Sequence, residues 1–416
     1  MARISRNTSS LLLFVFQPFV GFLSSLKNID SKVGKLIFIT FSTLWGYSQS
    51  FTYTPADGYR IGAGFCQYPI DDFSVFIKMF TEGNAIDGYL LITNYLIHLF
   101  SDNVKVYFAL LGFIYGLVCY YTVVSLIKER ENERSSFLNH ILFLLFALAS
   151  FANMSMPRFW TAAWFAALVF LKITQGKKQW AWLTFILPFI HFSFVPIAIG
   201  LLVIGVLSSL LDSVSPLLFW TMCLFFIFSF IIPETTIARF IPQEMLEDNS
   251  RLTSKMGYIS ETINQNAIFE ETSAYRKANN IVTSLFQLLM KLGSFVLLVH
   301  MYLRRNILNK NAKTNFTFNT VLLLAIITYF MSIIPSTGWR FINILWMFLF
   351  ILLFRYYDVF RPKSFGKTII SLYVINIYTI SFMFYVTYRT VDLLLFYMPL
   401  PFVIMHGIGF PPVYFV

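Results

Sequence analysis

Apolar runs long enough to cross a bilayer recur along the whole of this 416-residue chain, and no other feature constrains its fold as strongly. A spanning helix needs about 20 mainly apolar residues. Candidate spans are 11–26, 36–53, 106–127, 137–153, 159–175, 216–232, 281–303, 317–334, 341–354 and 368–387. The apolar stretch between Gln179 and Ser208 is long for one helix and contains Pro188, His191 and Pro196. It fits a short helical pair, 180–190 and 193–207, turning at His191. Twelve spans result, with 393–416 ambiguous. Hydrophobic residues make up 57% of the chain and charged residues 12%, about half the charged share of a soluble protein. The fold class that follows is an all-α polytopic membrane protein forming a single integral membrane domain, 1–416. Cys66, Cys119 and Cys223 are too scattered for a disulfide framework or a metal cluster.

The first apolar run follows Arg3 and Arg6, as in a signal peptide. No A-x-A cleavage site follows it, so it reads as a retained first helix or an interfacial one. Threading twelve spans puts 27–35, 128–134, 172–178, 208–215, 304–313 and 355–367 on one face. These loops carry 17 of the 31 basic residues against six acidic ones, the whole of the net charge of +11. A charge excess confined to short loops on one side is the positive-inside pattern. Those loops are cytoplasmic, and the basic charge reports topology, not nucleic-acid binding. Two long segments, 54–105 and 233–280, then lie outside. Within the first, 88–100 is too short to span and suits the interface. The second is too long for a mere connection and suits a cover over an external site.

The chain has no phosphate-binding P-loop, no nucleophile elbow, no zinc-protease motif and no CxxC. What remains is polar side chains at the outer ends of apolar helices, where burial in lipid is costly. Arg158 follows Pro157 in the first turn of a helix that starts outside; it suits a snorkelling arginine or a phosphate clamp. His191 is the titratable group of its apolar stretch, placed either for packing or for proton transfer. Arg340 follows Pro335, Ser336, Thr337, Gly338 and Trp339, a turn able to present amides to an anion; Trp339 equally suits an interfacial belt. Asp57, Asp71, Asp72 and Asp87 crowd the first external segment beside Tyr59 and Arg60, as solvated charges or as a base and sugar ligands. Lys291 stands about 15 Å from either end of its helix and requires a cavity or a buried partner.

In order, these features resemble the EpsG-like family of polysaccharide polymerases, relatives of the Wzy O-antigen polymerases. The resemblance rests on DDFSVFIKMF (71–80), DGYLLITNYLIHLF (87–100), RFWTAAWFAALVF (158–170), a GKK turn (176–178), Phe-x-His-Phe-Ser (189–193) and Pro-x-x-x-x-Arg-Phe (335–341). Family members often carry Tyr where Phe76 stands and a polar residue where Phe159 stands. The resemblance implies a GT-C-type glycosyltransferase in the bacterial cytoplasmic (inner) membrane. It would join undecaprenyl-diphosphate-linked oligosaccharides at the outer face, with no cofactor and no metal, and with a chain-length regulator as a candidate protein partner. On this reading His191 and Asp72 are catalytic, while Arg158, Arg340, Arg60, Asp57, Asp71, Tyr59 and Trp339 bind substrate. The rivals are a flippase for the same lipid-linked sugars, which predicts repeated halves, and an O-antigen ligase or membrane acyltransferase.

Overall fold

A computed structural model describes residues 6–51, 57–81, 88–130, 136–207, 214–232, 274–308, 312–334, 338–356 and 365–409. Among these the chain is helical nearly throughout, with one isolated antiparallel bridge, Gln49 to Val391. Most of the external segment 233–280, together with Asp87 and the turn residues Pro335, Ser336 and Thr337, lies outside the described residues.

The helices, in chain order, are α1 (Arg6–Phe16), α2 (Pro18–Ser25), α3 (Lys32–Tyr47), α4 (Asp57–Gln67), α5 (Phe73–Thr81), α6 (Gly88–His98), α7 (Val104–Lys128), α8 (Ser136–Leu148), α9 (Pro157–Thr174), α10 (Ile186–Ile190), α11 (Val195–Val206), α12 (Ser215–Ile231), α13 (Ala274–Leu303), α14 (Ala312–Met331), α15 (Gly338–Arg355), α16 (Phe365–Thr390) and α17 (Leu400–Gly409). Among the described residues, six segments are long and apolar enough to cross a bilayer: Val104–Arg130, Ser136–Ser155, Val282–Leu303, Ala312–Met331, Gly338–Arg355 and Lys367–Thr390. The protein is therefore an all-α, multi-pass membrane protein. Helix α15 is buried along almost its whole length, whereas α12, α13 and α16 expose Leu217, Trp220, Val296, Ile370 and Phe384, the side chains a lipid-facing wall requires.

The first expected span, 11–26, is instead a hairpin. The chain breaks at Gln17, before Pro18, whose ring cannot continue the helix. Ser10 Oγ lies 2.9 Å from Ser24 Oγ, Asn28 donates to Asn7 at 3.4 Å, and Gly21 is pressed against Phe14. These pairings are those of antiparallel arms, about 16 and 12 Å long, each too short to cross about 30 Å of hydrocarbon. The pair expected around His191 is found. Its first arm is a 3₁₀ stretch, Lys178–Phe185, followed by α10; the second is α11, and Gly205 packs on Ala181 near the open end. Its tip is His191.

Three devices fix the bundle. Where α3 crosses α7, Gly46 meets Gly112 and Ser42 Oγ donates to the Gly112 carbonyl at 2.7 Å, so small residues let the backbones touch. Just past the C-terminal end of α8, the carbonyl of Ala149 accepts the Tyr115 hydroxyl of α7 at 2.7 Å and the Trp164 indole N–H of α9 at 3.0 Å. Backbone groups that lipid cannot satisfy are thereby met by neighbouring helices. At the other end, Arg355 of α15 forms a bidentate pair with Glu129 at 2.6 and 2.9 Å and also donates to Thr174 of α9. The lysine within α13 has a partner as well: Lys291 donates to the half-buried Ser229 carbonyl at 2.9 Å and lies 4.3 Å from the centre of the exposed Phe230 ring.

Candidate functional site

The N-terminal ends of α4, α9 and α15 meet over the tip of the His191 hairpin. Asp57 opens α4, and its two carboxylate oxygens divide between two arginines. Arg60, one turn on, binds Oδ1 at 2.6 Å; Arg340, in the first turn of α15, lies 3.6 Å from Oδ2. The Arg340 and Asp57 side chains are each 25% exposed, so the pair is desolvated on most sides yet reachable from outside. A triad of two cations and one carboxylate keeps a net positive charge, and guanidiniums present the fork that suits phosphate oxygens.

Beneath Arg340 lies Phe159, buried in the first turn of α9. The guanidinium carbon stands 5.8 Å from its ring centroid, a cation–π contact. The same ring meets His191 edge-on at 5.5 Å and 89°, and Phe194 and Phe341 close the sides at 5.2 and 6.2 Å. One aromatic side chain thus connects the arginine to the imidazole. Nothing in the sequence around Phe159 marks it as the floor of the cluster, because that place depends on three helices converging.

His191 caps the 3₁₀ turn Phe192–Phe194. Its Nδ1 accepts the Ser193 amide at 3.3 Å and lies 2.8 Å from Ser193 Oγ. A ring that accepts a main-chain N–H at Nδ1 carries its neutral-form hydrogen on Nε2, so this network assigns Nε2 as a donor. In this conformation the imidazole suits hydrogen-bond donation to an oxygen more than proton abstraction.

The other expected residues divide. Arg158 occupies the first turn of α9, where no side chain caps the helix, within electrostatic reach of the Tyr107 hydroxyl. Tyr59 is half-buried and packs on the core. Asp71 and Asp72 are exposed, and Asp72 Oδ1 accepts the Ser74 amide at 2.8 Å, capping α5. Trp339 turns toward α16, its ring 6.3 Å from Phe382. Among the described residues, no three His, Cys, Asp or Glu side chains are grouped to hold a metal ion.

Comparison with known proteins finds no matching family model, curated protein or solved structure.

Proposed function

We propose that this chain is a membrane glycosyltransferase of the GT-C type, a polysaccharide polymerase acting on undecaprenyl-diphosphate-linked oligosaccharide repeat units at the outer face of a bacterial cytoplasmic membrane. The observation that carries the proposal is the convergence of Arg340 and Arg60 on Asp57, above Phe159 and His191, at the outer ends of an apolar bundle. A lipid diphosphate is the substrate group that needs both features: guanidiniums for its oxygens and an apolar bundle beside them for its chain.

In the reaction, an acceptor sugar hydroxyl attacks the anomeric carbon of the donor glycan. The new glycosidic C–O bond forms as the bond from that carbon to the diphosphate oxygen breaks, and undecaprenyl diphosphate leaves with the electron pair. Arg340 and Arg60, joined by Arg158, balance the charge that develops on the leaving group. His191 donates through Nε2 to an oxygen of the reacting centre. The acceptor proton passes to a carboxylate, for which Asp72, exposed at the start of α5, is the candidate. The sequence of the polar features in the chain and their resemblance to the EpsG-like polymerases support the same assignment.

Purified protein supplied with a lipid-linked repeat unit tests the proposal. A ladder of longer glycans is expected, with release of undecaprenyl diphosphate. Translocation of the lipid-linked unit across a bilayer without any elongation would overturn it and leave a flippase.

A further inference from the structure

Helix α9 begins at the arginine cluster and ends, about 25 Å along its axis, among lysines. Its C-terminus closes in a Schellman turn. The Lys177 amide donates to the Lys172 carbonyl at 3.0 Å, and the Gly176 amide to the Ile173 carbonyl at 2.9 Å. The turn holds Gly176 at φ +92°, a conformation that a residue with a Cβ resists. It folds the chain back so that Lys177 and Lys172 lie within electrostatic reach, together with Lys128 at the end of α7. Lys172 is half-buried: its ammonium donates to Ser125 Oγ of α7 at 2.7 Å and stands 5.8 Å from the Trp180 ring centroid. Lys128 and Lys177 are exposed. Among the described residues, the carboxylate within reach of Lys172 is Glu129. Arg355 already holds both of its oxygens, and Gln175 donates to one of them. Membrane topology requires only that lysines lie on one side. It does not require three of them to share a notch, one half-buried, where like charges repel. This arrangement calls for an anion.

The surface beside the notch identifies the anion. The 3₁₀ arm Lys178–Phe185 turns Trp182 and Phe185 outward, 62% and 61% exposed, with their rings stacked at 6.0 Å and 22°. Leu183 and Ile186 extend the same exposed apolar surface. A soluble anion has no use for it. Tryptophan at headgroup level, with apolar side chains next to it, suits a phospholipid whose phosphate reaches the ammoniums. We propose that this notch binds one anionic glycerophospholipid of the surrounding leaflet, its phosphate among Lys128, Lys172 and Lys177 and an acyl chain along Trp182 and Phe185. Basic pockets between helix ends are the form that such headgroup sites take. The site lies at the other end of α9 from the arginine cluster and does not rest on the polymerase reading.

The test is native mass spectrometry of the full-length protein in detergent, titrated with dioleoylphosphatidylglycerol or with dioleoylphosphatidylcholine. The wild type should bind the first phosphatidylglycerol roughly tenfold or more tighter than phosphatidylcholine. Replacing Lys128, Lys172 and Lys177 together by glutamine should remove that preference and leave phosphatidylcholine binding unchanged. Replacing Lys27, Lys32 and Arg304 by glutamine removes three exposed charges from other basic loops and should change the preference by less than about twofold, since these charges lie outside the notch. If the first triple variant is not monodisperse, Lys177→Gln alone, exposed and past the end of α9, carries the test with a loss of about threefold. Glycerophosphoglycerol, the same headgroup without chains, should not displace the lipid even in large excess. Equal wild-type affinity for the two lipids would overturn the proposal. So would a preference that survives the notch variants, or one lost equally in both triple variants, which would mark a diffuse effect of the basic face. Displacement by glycerophosphoglycerol would overturn the lipid assignment in favour of a soluble phosphate ester.

Discussion

Removing the charge of Asp57 leaves the guanidiniums of Arg60 and Arg340 facing a space that their shared carboxylate now fills. In the resting protein that carboxylate pairs with both arginines and would compete with an incoming anion. Asp57→Asn should therefore bind inorganic pyrophosphate more tightly, by roughly tenfold if one nearby charge is removed from a partly desolvated site. It should also turn over lipid-linked repeat units more slowly, because the arginines are no longer held in place. Calorimetry and a gel-based elongation assay read the two effects; an unchanged pyrophosphate affinity would show that Asp57 does not compete for the site. For His191 the hydrogen-bond pattern around Ser193 favours a donor role. Glutamine offers a donor of similar reach. His191→Gln is expected to keep turnover within about tenfold of wild type, with His191→Ala clearly lower. A loss of roughly a hundredfold or more in the glutamine variant would instead restore the imidazole as the proton acceptor.

At the scale of elements, the two hairpins decide which side of the membrane each loop reaches. If 11–26 were a continuous span, Asn7 and Asn28 would lie about 30 Å apart along it; in the hairpin their side chains are 3.4 Å apart. Asn7→Cys and Asn28→Cys, combined in a background lacking Cys66, Cys119 and Cys223, should cross-link through a short dimaleimide in membranes. Absence of a cross-link in protein that labels at both positions would return the segment to a span. The long apolar helices were legible in the sequence because length and composition alone report them, and the turn at His191 was legible because two prolines bracket it. The break at Gln17 was not read, since a hairpin and a short span share one composition. The outer site was half legible. Arg340, Arg158 and His191 stood out as polar groups at apolar helix ends. That Arg340 shares Asp57 with Arg60, and rests on Phe159, depends on contacts between residues far apart in the chain, which no local pattern carries.

Over the whole molecule, the corrected first hairpin keeps the orientation that the charges require. Loop 27–35 keeps its place among the basic loops that the charge pattern assigns to one side of the membrane. On the orientation that the basic loops predict, the outer face carries the segment α4–α6 and the arginine cluster. A cysteine replacing Asp102, whose side chain is 91% exposed, should react with an impermeant maleimide in intact spheroplasts, and one replacing Lys177 should react only after lysis. The reverse pattern would invert the molecule and move the cluster to the cytoplasm. The two faces are connected by α15, which holds Arg340 in its first turn and Arg355 at its last residue. The Arg355 side chain is 2% exposed and its pairing with Glu129 ties α15 to α7, while its bond to Thr174 reaches α9. A pair of this kind contributes little beyond an apolar substitute of the same shape, but removing the arginine leaves the half-buried Glu129 carboxylate with Gln175 in place of its cation, at about 1–3 kcal/mol. Arg355→Ala should therefore lower the thermal midpoint substantially, measured by intrinsic fluorescence in nanodiscs. Glu129→Ala combined with Arg355→Ala should recover part of the loss, because no isolated charge then remains. Pyrophosphate binding well below the midpoint should be unaffected in either protein if the clamp only stabilises the bundle. A double variant no more stable than Arg355→Ala would show that the pair acts through packing and not through charge, and weakened pyrophosphate binding in both would show that α15 transmits its inner-end contacts to Arg340.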